Sequence, residues 1–108
     1  MNTTMQKFVN AANAFDVEAV LALFAPEGLI EDSSVGETFR GRDGVRSYVA
    51  EYFVGYQTKS TVLSVEELDA QHTTARVDFV GNFGHETGFF EITTDGTGLI
   101  KSVKTYLE

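Results

Sequence analysis

The second half of this chain admits few folds. Residues 58–68, 73 to about 82, 88–94 and 99–107 are rich in β-branched and aromatic side chains, with turn residues between them. Strands joined by connections this short pair antiparallel, because a parallel crossover needs a dozen or more residues. Asp95-Gly96-Thr97-Gly98 forms a hairpin turn. The turn between the second and third of these strands sits at Gly81-Asn82 or within 84–87. The choice decides which face His85 and Glu86 take, because side chains alternate along a strand.

The first half reads as helices around a short strand. Met5, Phe8, Val9 and Ala12 fall at the spacing of one helix face, and residues 13–16 interrupt that helix. Asp16 then caps a second helix carrying Val17, Val20, Leu21 and Phe24 before Pro26 stops it. Leu29-Ile30-Glu31-Asp32 is a strand, followed by a polar turn and a short extended piece over 37–40. Asp43 is placed to cap a third helix, whose apolar face is Val45, Tyr48, Val49, Tyr52 and Phe53 and which ends at Gly55.

This order, α-α-β-β-α-β-β-β-β, describes an α+β cone. A curved antiparallel sheet carries three helices on its concave face, with room for a ligand between the layers. A chain of 108 residues makes this one domain over 1–108. Nine Phe and four Tyr supply ring surface for both a core and a cavity wall. The formal charge of -8 repels phosphate backbones and anionic lipid, so neither nucleic acid nor a membrane surface is an expected partner. With no cysteine and two distant histidines, no metal site and no cofactor is implied. The amino terminus lacks a basic region and an apolar signal core, which points to a cytoplasmic protein.

The chain resembles the nuclear-transport-factor-two-like superfamily, whose fold is cystatin-like, and most closely its SnoaL-like polyketide cyclases and ketosteroid isomerases. The residues that carry the resemblance are Phe15-Asp16-Val17-Glu18-Ala19, Ile30-Glu31-Asp32, Phe39-Arg40-Gly41-Arg42-Asp43 and the Asp95 hairpin. The resemblance implies that Asp32 holds the position of a general base that moves a proton between carbons. It also implies that Phe8 and Phe90 occupy the positions of the two oxyanion donors, a tyrosine and a protonated aspartic acid. One such donor is worth about 3–4 kcal/mol in the transition state, so efficient steroid isomerisation is not expected.

The expected site therefore has Asp32 and Tyr48 as its catalytic pair, Tyr48 being one candidate replacement donor. Phe8, Phe24, Tyr52, Val77, Phe79, Phe90, Val103 and Leu107 are the expected ligand-binding residues. A carboxylate before Ser33-Ser34 also fits a plain turn former, and Glu31 takes the opposite, solvated face. The expected ligand is a small apolar or cyclic molecule. The function is general-base proton transfer of the isomerase or cyclase type, or else ligand binding or dimerisation without catalysis. Phe89, Ile100 and Tyr106 are expected on the open sheet face, where a second copy of the chain would make a homodimer.

Overall fold

The computed structural model describes residues 3–108. Helix α1 (Thr3–Asn13) buries Met5, Phe8, Val9 and Ala12, the face that their spacing defines. Asn13 ends it by imitating a strand. Its Nδ2 donates to the Ser60 carbonyl at 2.9 Å, and its Oδ1 accepts from the Ser60 N–H at 2.7 Å, which ties the helix end to the sheet. Asp16 caps helix α2 (Val17–Ala22) as expected, accepting the Ala19 N–H at 3.1 Å.

Helix α2 is shorter than its apolar spacing predicts, and Phe24 belongs instead to strand β1 (Phe24–Asp32). Tertiary pairing decides this. The Ile100 N–H donates to the Leu23 carbonyl at 2.8 Å and Phe24 pairs with Ile100, so a sheet partner takes the chain before another helical turn can form. Strand β2 (Glu37–Arg40) leads directly into helix α3 (Gly41–Tyr48). Asp43 lies in the first turn of α3, but Arg40 holds the cap position and no side chain caps the helix. From Val49 to Gly55 the helix continues in the wider π form. Such π segments are uncommon and often mark functional sites.

Strands β3 (Lys59–Asp69), β4 (His72–Gly81), β5 (Gly84–Thr94) and β6 (Ile100–Leu107) complete a curved, unclosed sheet in the order β2-β1-β6-β5-β4-β3. The expected α+β architecture is present, with one difference. β1 runs parallel to β6, because the long stretch of chain between them removes the constraint that makes hairpin neighbours antiparallel. The hairpin between β4 and β5 turns on Asn82-Phe83, with Gly81 opposite Gly84. Gly84 has φ +114°, a conformation that glycine adopts without strain. This register places Glu86 opposite the buried Phe79 on the inner face, and His85 opposite Val80 on the outer face.

The core lies between helices and sheet, with Phe8, Val20 and Leu21 meeting Ile30, Val77, Phe90, Ile92 and Val103. Ile100 belongs to it too, fully buried, and not to the open face where the alternation placed it. The reason is one extra residue on β6. Thr93 pairs with Ser102 but Thr94 pairs with Ile100, so Lys101 bulges out and Ile100 turns inward beside Val103. No helix among the described residues is long and apolar enough to cross a membrane.

Candidate functional site

Strand β1 alternates so that Ile30 and Asp32 point inward while Glu31 points out toward Lys104, 4.0 Å away. Asp32 is the last residue of the strand, opposite Thr105 of β6 and Glu37 of β2. The chain then turns, with the Gly36 N–H donating to the Asp32 carbonyl at 3.0 Å. The Asp32 side chain is 6% exposed. Its Oδ1 accepts from the Ser34 N–H at 2.9 Å and the Ser34 hydroxyl at 2.6 Å, which is the turn-forming role. Its Oδ2 accepts from the Tyr48 hydroxyl at 2.6 Å. The two carboxylate oxygens therefore have different partners, the Ser34 turn on one and Tyr48 on the other. These bonds offset the unfavourable burial of a carboxylate.

Tyr48 arrives from the end of α3, where the π segment begins. Burial first, then the nearby Asp32 charge and the hydrogen bond to it, push its hydroxyl well above the ordinary tyrosine range, so at neutral pH Tyr48 is a fixed donor. Tyr52, on the π turn, is also raised, by partial desolvation and then by neighbouring acidic and tyrosine side chains. The rings of Tyr48 and Tyr52 lie 4.9 Å apart, Tyr52 and Tyr56 5.6 Å, and Tyr56 and Phe83 6.0 Å. These tyrosines, four residues apart, follow one another along one side of the helix and its π continuation. Phe83 at the β4–β5 turn meets the outer end of this row, and the Asn82 N–H donates to the Tyr56 carbonyl at 2.8 Å.

These elements enclose a cavity of about 290 Å³ that opens to solvent. Asp32, Tyr48, Phe53, Thr58, Phe79, Phe90 and Thr105 form its buried part, and Val35, Tyr56, Phe83, Glu86 and Leu107 lie where it meets solvent. Ser34 and the half-buried Tyr52 complete the wall. Among the described residues, no Lys, Arg or His lines it. Among the described residues no group of three or more acidic or histidine side chains could hold a metal ion.

Of the expected site residues, Asp32, Tyr48, Tyr52, Phe79, Phe90 and Leu107 lie on this wall. Phe8, Phe24, Val77 and Val103 do not. They are at most 2% exposed and pack in the closed core, where helices α1 and α2 cover the inner face of the sheet. The Phe8 ring meets Phe90 edge to face at 5.1 Å and Phe24 at 6.3 Å, so two of the expected positions are filled by ring packing with no space for a ligand. Ser34, Val35, Phe53, Tyr56, Thr58, Phe83 and Thr105 were not expected on the wall. Two of them had a signal in the sequence: Tyr56 continues the spacing of Tyr48 and Tyr52, and Thr105 lies between the inward Val103 and Leu107.

A helix-backed, half-open sheet with an acid at the inner end of an aromatic cavity defines a class of small pocket proteins. Residues 5–101 match the SnoaL-like domain, and the chain belongs to that family. Among solved structures it is similar to a protein with a ketosteroid isomerase-like fold from Catenulispora acidiphila DSM 44928, in complex with trimethylamine. That pair is 18% identical with a TM-score of 0.86, over 98% of this chain and 85% of the other. A Mycobacterium tuberculosis protein in complex with estradiol-17β-hemisuccinate is similar at 19% identity and TM-score 0.85, over 97% of this chain and 91% of the other. A protein with a cystatin-like fold from Methylobium petroleophilum PM1 is similar at 14% identity and TM-score 0.82, over 96% and 72% of the two chains. None of the curated protein sequences compared with the chain is significantly similar to it.

Proposed function

We propose that the chain binds a small cyclic or apolar molecule in the aromatic cavity, with Asp32 and Tyr48 as its polar anchor and Asp32 as the general base for proton transfer. The observation that carries this reading is the buried Asp32 carboxylate on the wall of an open cavity, held at 2.6 Å by the Tyr48 hydroxyl. A base must reach the proton it takes, and the cavity brings a ligand to this carboxylate without bulk water around it. Tyr48 then reports on the proton: it donates to the charged carboxylate and loses that acceptor strength when Asp32 takes a proton from the ligand. The small molecules in the Catenulispora and Mycobacterium proteins support binding in this fold.

A second reading, binding without catalysis, is favoured by Phe8 and Phe90. They are apolar where the resemblance implies oxyanion donors, and they pack on each other at 5.1 Å. One experiment separates the two. With 2-tetralone in deuterated water, NMR follows both binding and exchange of its acidic C–H protons. Exchange accelerated by the protein and lost in Asp32→Asn supports proton transfer. Binding without acceleration leaves a binding protein, and no binding removes both readings.

A second copy of the chain is the partner we infer for the outer sheet face, where Phe89 and Tyr106 stack at 5.1 Å. That face is more polar than the sequence alternation implied, since Arg76 pairs with Glu108 at 2.7 and 3.0 Å and His85 pairs with Asp78. Light scattering at micromolar concentration that gives only a monomer contradicts the dimer.

A further inference from the structure

Among the described residues, no cation meets the charge on Asp32. Both oxygens accept hydrogen bonds from Tyr48 and Ser34, which are neutral donors. Buried carboxylates are ordinarily paired with a positive group, and hydrogen bonds from neutral donors stabilise the charge without cancelling it. Among the described residues the cavity offers no internal counter-ion, because none of those on its wall is Lys, Arg or His. A second carboxylate, Glu86, stands where the cavity opens, exposed and without an ion pair to any described residue.

The same wall carries a row of aromatic rings. Tyr48, Tyr52 and Tyr56 follow one another at 4.9 and 5.6 Å, and Phe83 closes the row at 6.0 Å. The faces of aromatic rings are electronegative and attract organic cations, most strongly ammonium groups whose hydration shell is easily shed. The net charge of -8 acts in the same direction at long range, drawing cations toward the surface and repelling anions. A wall of aromatic rings with two acids and no base is poor at selecting a neutral hydrocarbon, which needs no charge at all, and hostile to an anion.

We propose that the cavity is selective for an organic cation, a molecule with an apolar ring and a quaternary or protonated amine. The ammonium group rests against the tyrosine row in the field of Asp32 and Glu86, and the ring lies against Phe79 and Phe90. This rests on the reading that the cavity is a ligand site, and it specifies the ligand's charge.

The test is calorimetric titration of the intact chain with three probes of similar size: benzyltrimethylammonium, its uncharged isostere neopentylbenzene, and phenylacetate. The ammonium should bind about tenfold or more tightly than the hydrocarbon, the range expected of a desolvated cation over aromatic faces with a nearby charge. Phenylacetate should bind weakest. Glu86→Gln, at an exposed position that leaves folding intact, should weaken the ammonium about threefold and leave neopentylbenzene unchanged. That ratio corresponds to the partial screening of an exposed charge. Asp32→Asn, checked for its fold by circular dichroism, should remove most of the remaining preference. If neopentylbenzene or phenylacetate binds as tightly as the ammonium, charge selectivity is overturned while the cavity stands as a ligand site. If none of the three binds, the ligand-site reading falls with it.

Discussion

The two ends of the inner sheet face are built from the same materials and behave differently. At the closed end, Phe8, Phe24, Val77 and Val103 are sealed by α1 and α2, with no residue more than 2% exposed. At the open end, Phe79, Phe90, Leu107, Tyr48, Tyr52 and Tyr56 line a cavity of about 290 Å³. Composition does not separate them, since both are aromatic and aliphatic. What separates them is cover: the closed end has a helix laid over it, while the open end is bordered by the edges of the π segment and the β4–β5 turn. Among the described residues the buried carboxylate is Asp32, and it lies at the open end. An enclosed apolar core would leave a carboxylate without solvent or ligand.

The comparison breaks if stability and binding do not divide between the two ends. Phe8→Ala should have the largest effect, about 3–5 kcal/mol of lost stability in chemical denaturation, as expected for deleting a fully buried ring. Gly88→Ala should destabilise by less. A Cβ there would lie 2.3 Å from the Tyr106 carbonyl oxygen, so β5 and β6 must separate. Overpacking of this kind typically costs about 1–3 kcal/mol. Tyr48→Phe should destabilise by about 1.5–3 kcal/mol, the range for a hydrogen bond to a charged group, because it strips one donor from the buried Asp32.

That substitution also sharpens a pH test. The Tyr48 hydroxyl is raised in the folded chain, so the native state holds its proton where the unfolded chain has released it. Its contribution is therefore fully present below about pH 10, the unfolded tyrosine value, and is lost as pH rises from there through the folded value. Denaturation midpoints measured from pH 8 to 11 should fall less steeply for Tyr48→Phe than for the parent chain. The smallest effect on stability belongs to Phe83→Ala, within about 0.5 kcal/mol because the ring is already 44% exposed. This variant should nevertheless weaken ligand binding. Equal losses of stability from Phe8→Ala and Phe83→Ala would contradict the division into a sealed end and an open one.

Much of the fold was legible because its signals are local. The α1 face, the Asp16 cap and the four long β stretches follow from spacing and turn chemistry that no distant partner has to supply. The start of β1 was not. Val17, Val20, Leu21 and Phe24 carry a helical period, yet Phe24 is taken by Ile100 from 76 positions away, and nothing near Phe24 announces that pairing. Ile100 was misplaced for a related reason: the bulge at Lys101 shifts the alternation by one, which a period of two cannot reveal. The π segment was hidden as well, since Tyr48, Tyr52 and Phe53 suit an α-helical face equally.

The site was legible by type and not by depth. Alternation identifies Val77, Phe79, Phe90, Val103 and Leu107 as inward, but whether an inward residue meets a helix or a cavity depends on where the covering helices end. Asp32 was legible as a strand-end carboxylate, and its division between Ser34 and Tyr48 needed the fold.

The most direct test of the open end as a ligand site anchored at Asp32 is an amide NMR titration with 2-naphthol, a rigid neutral bicycle whose hydroxyl can donate to a carboxylate. The account predicts saturable shifts confined to the cavity, at Asp32, Ser34, Tyr48, Tyr52, Phe90 and Thr105, with Phe8, Val20 and the outer-face residues Phe89 and Tyr106 unmoved. Shifts centred on the outer sheet face, or saturation that leaves Asp32 and Tyr48 untouched, would contradict it.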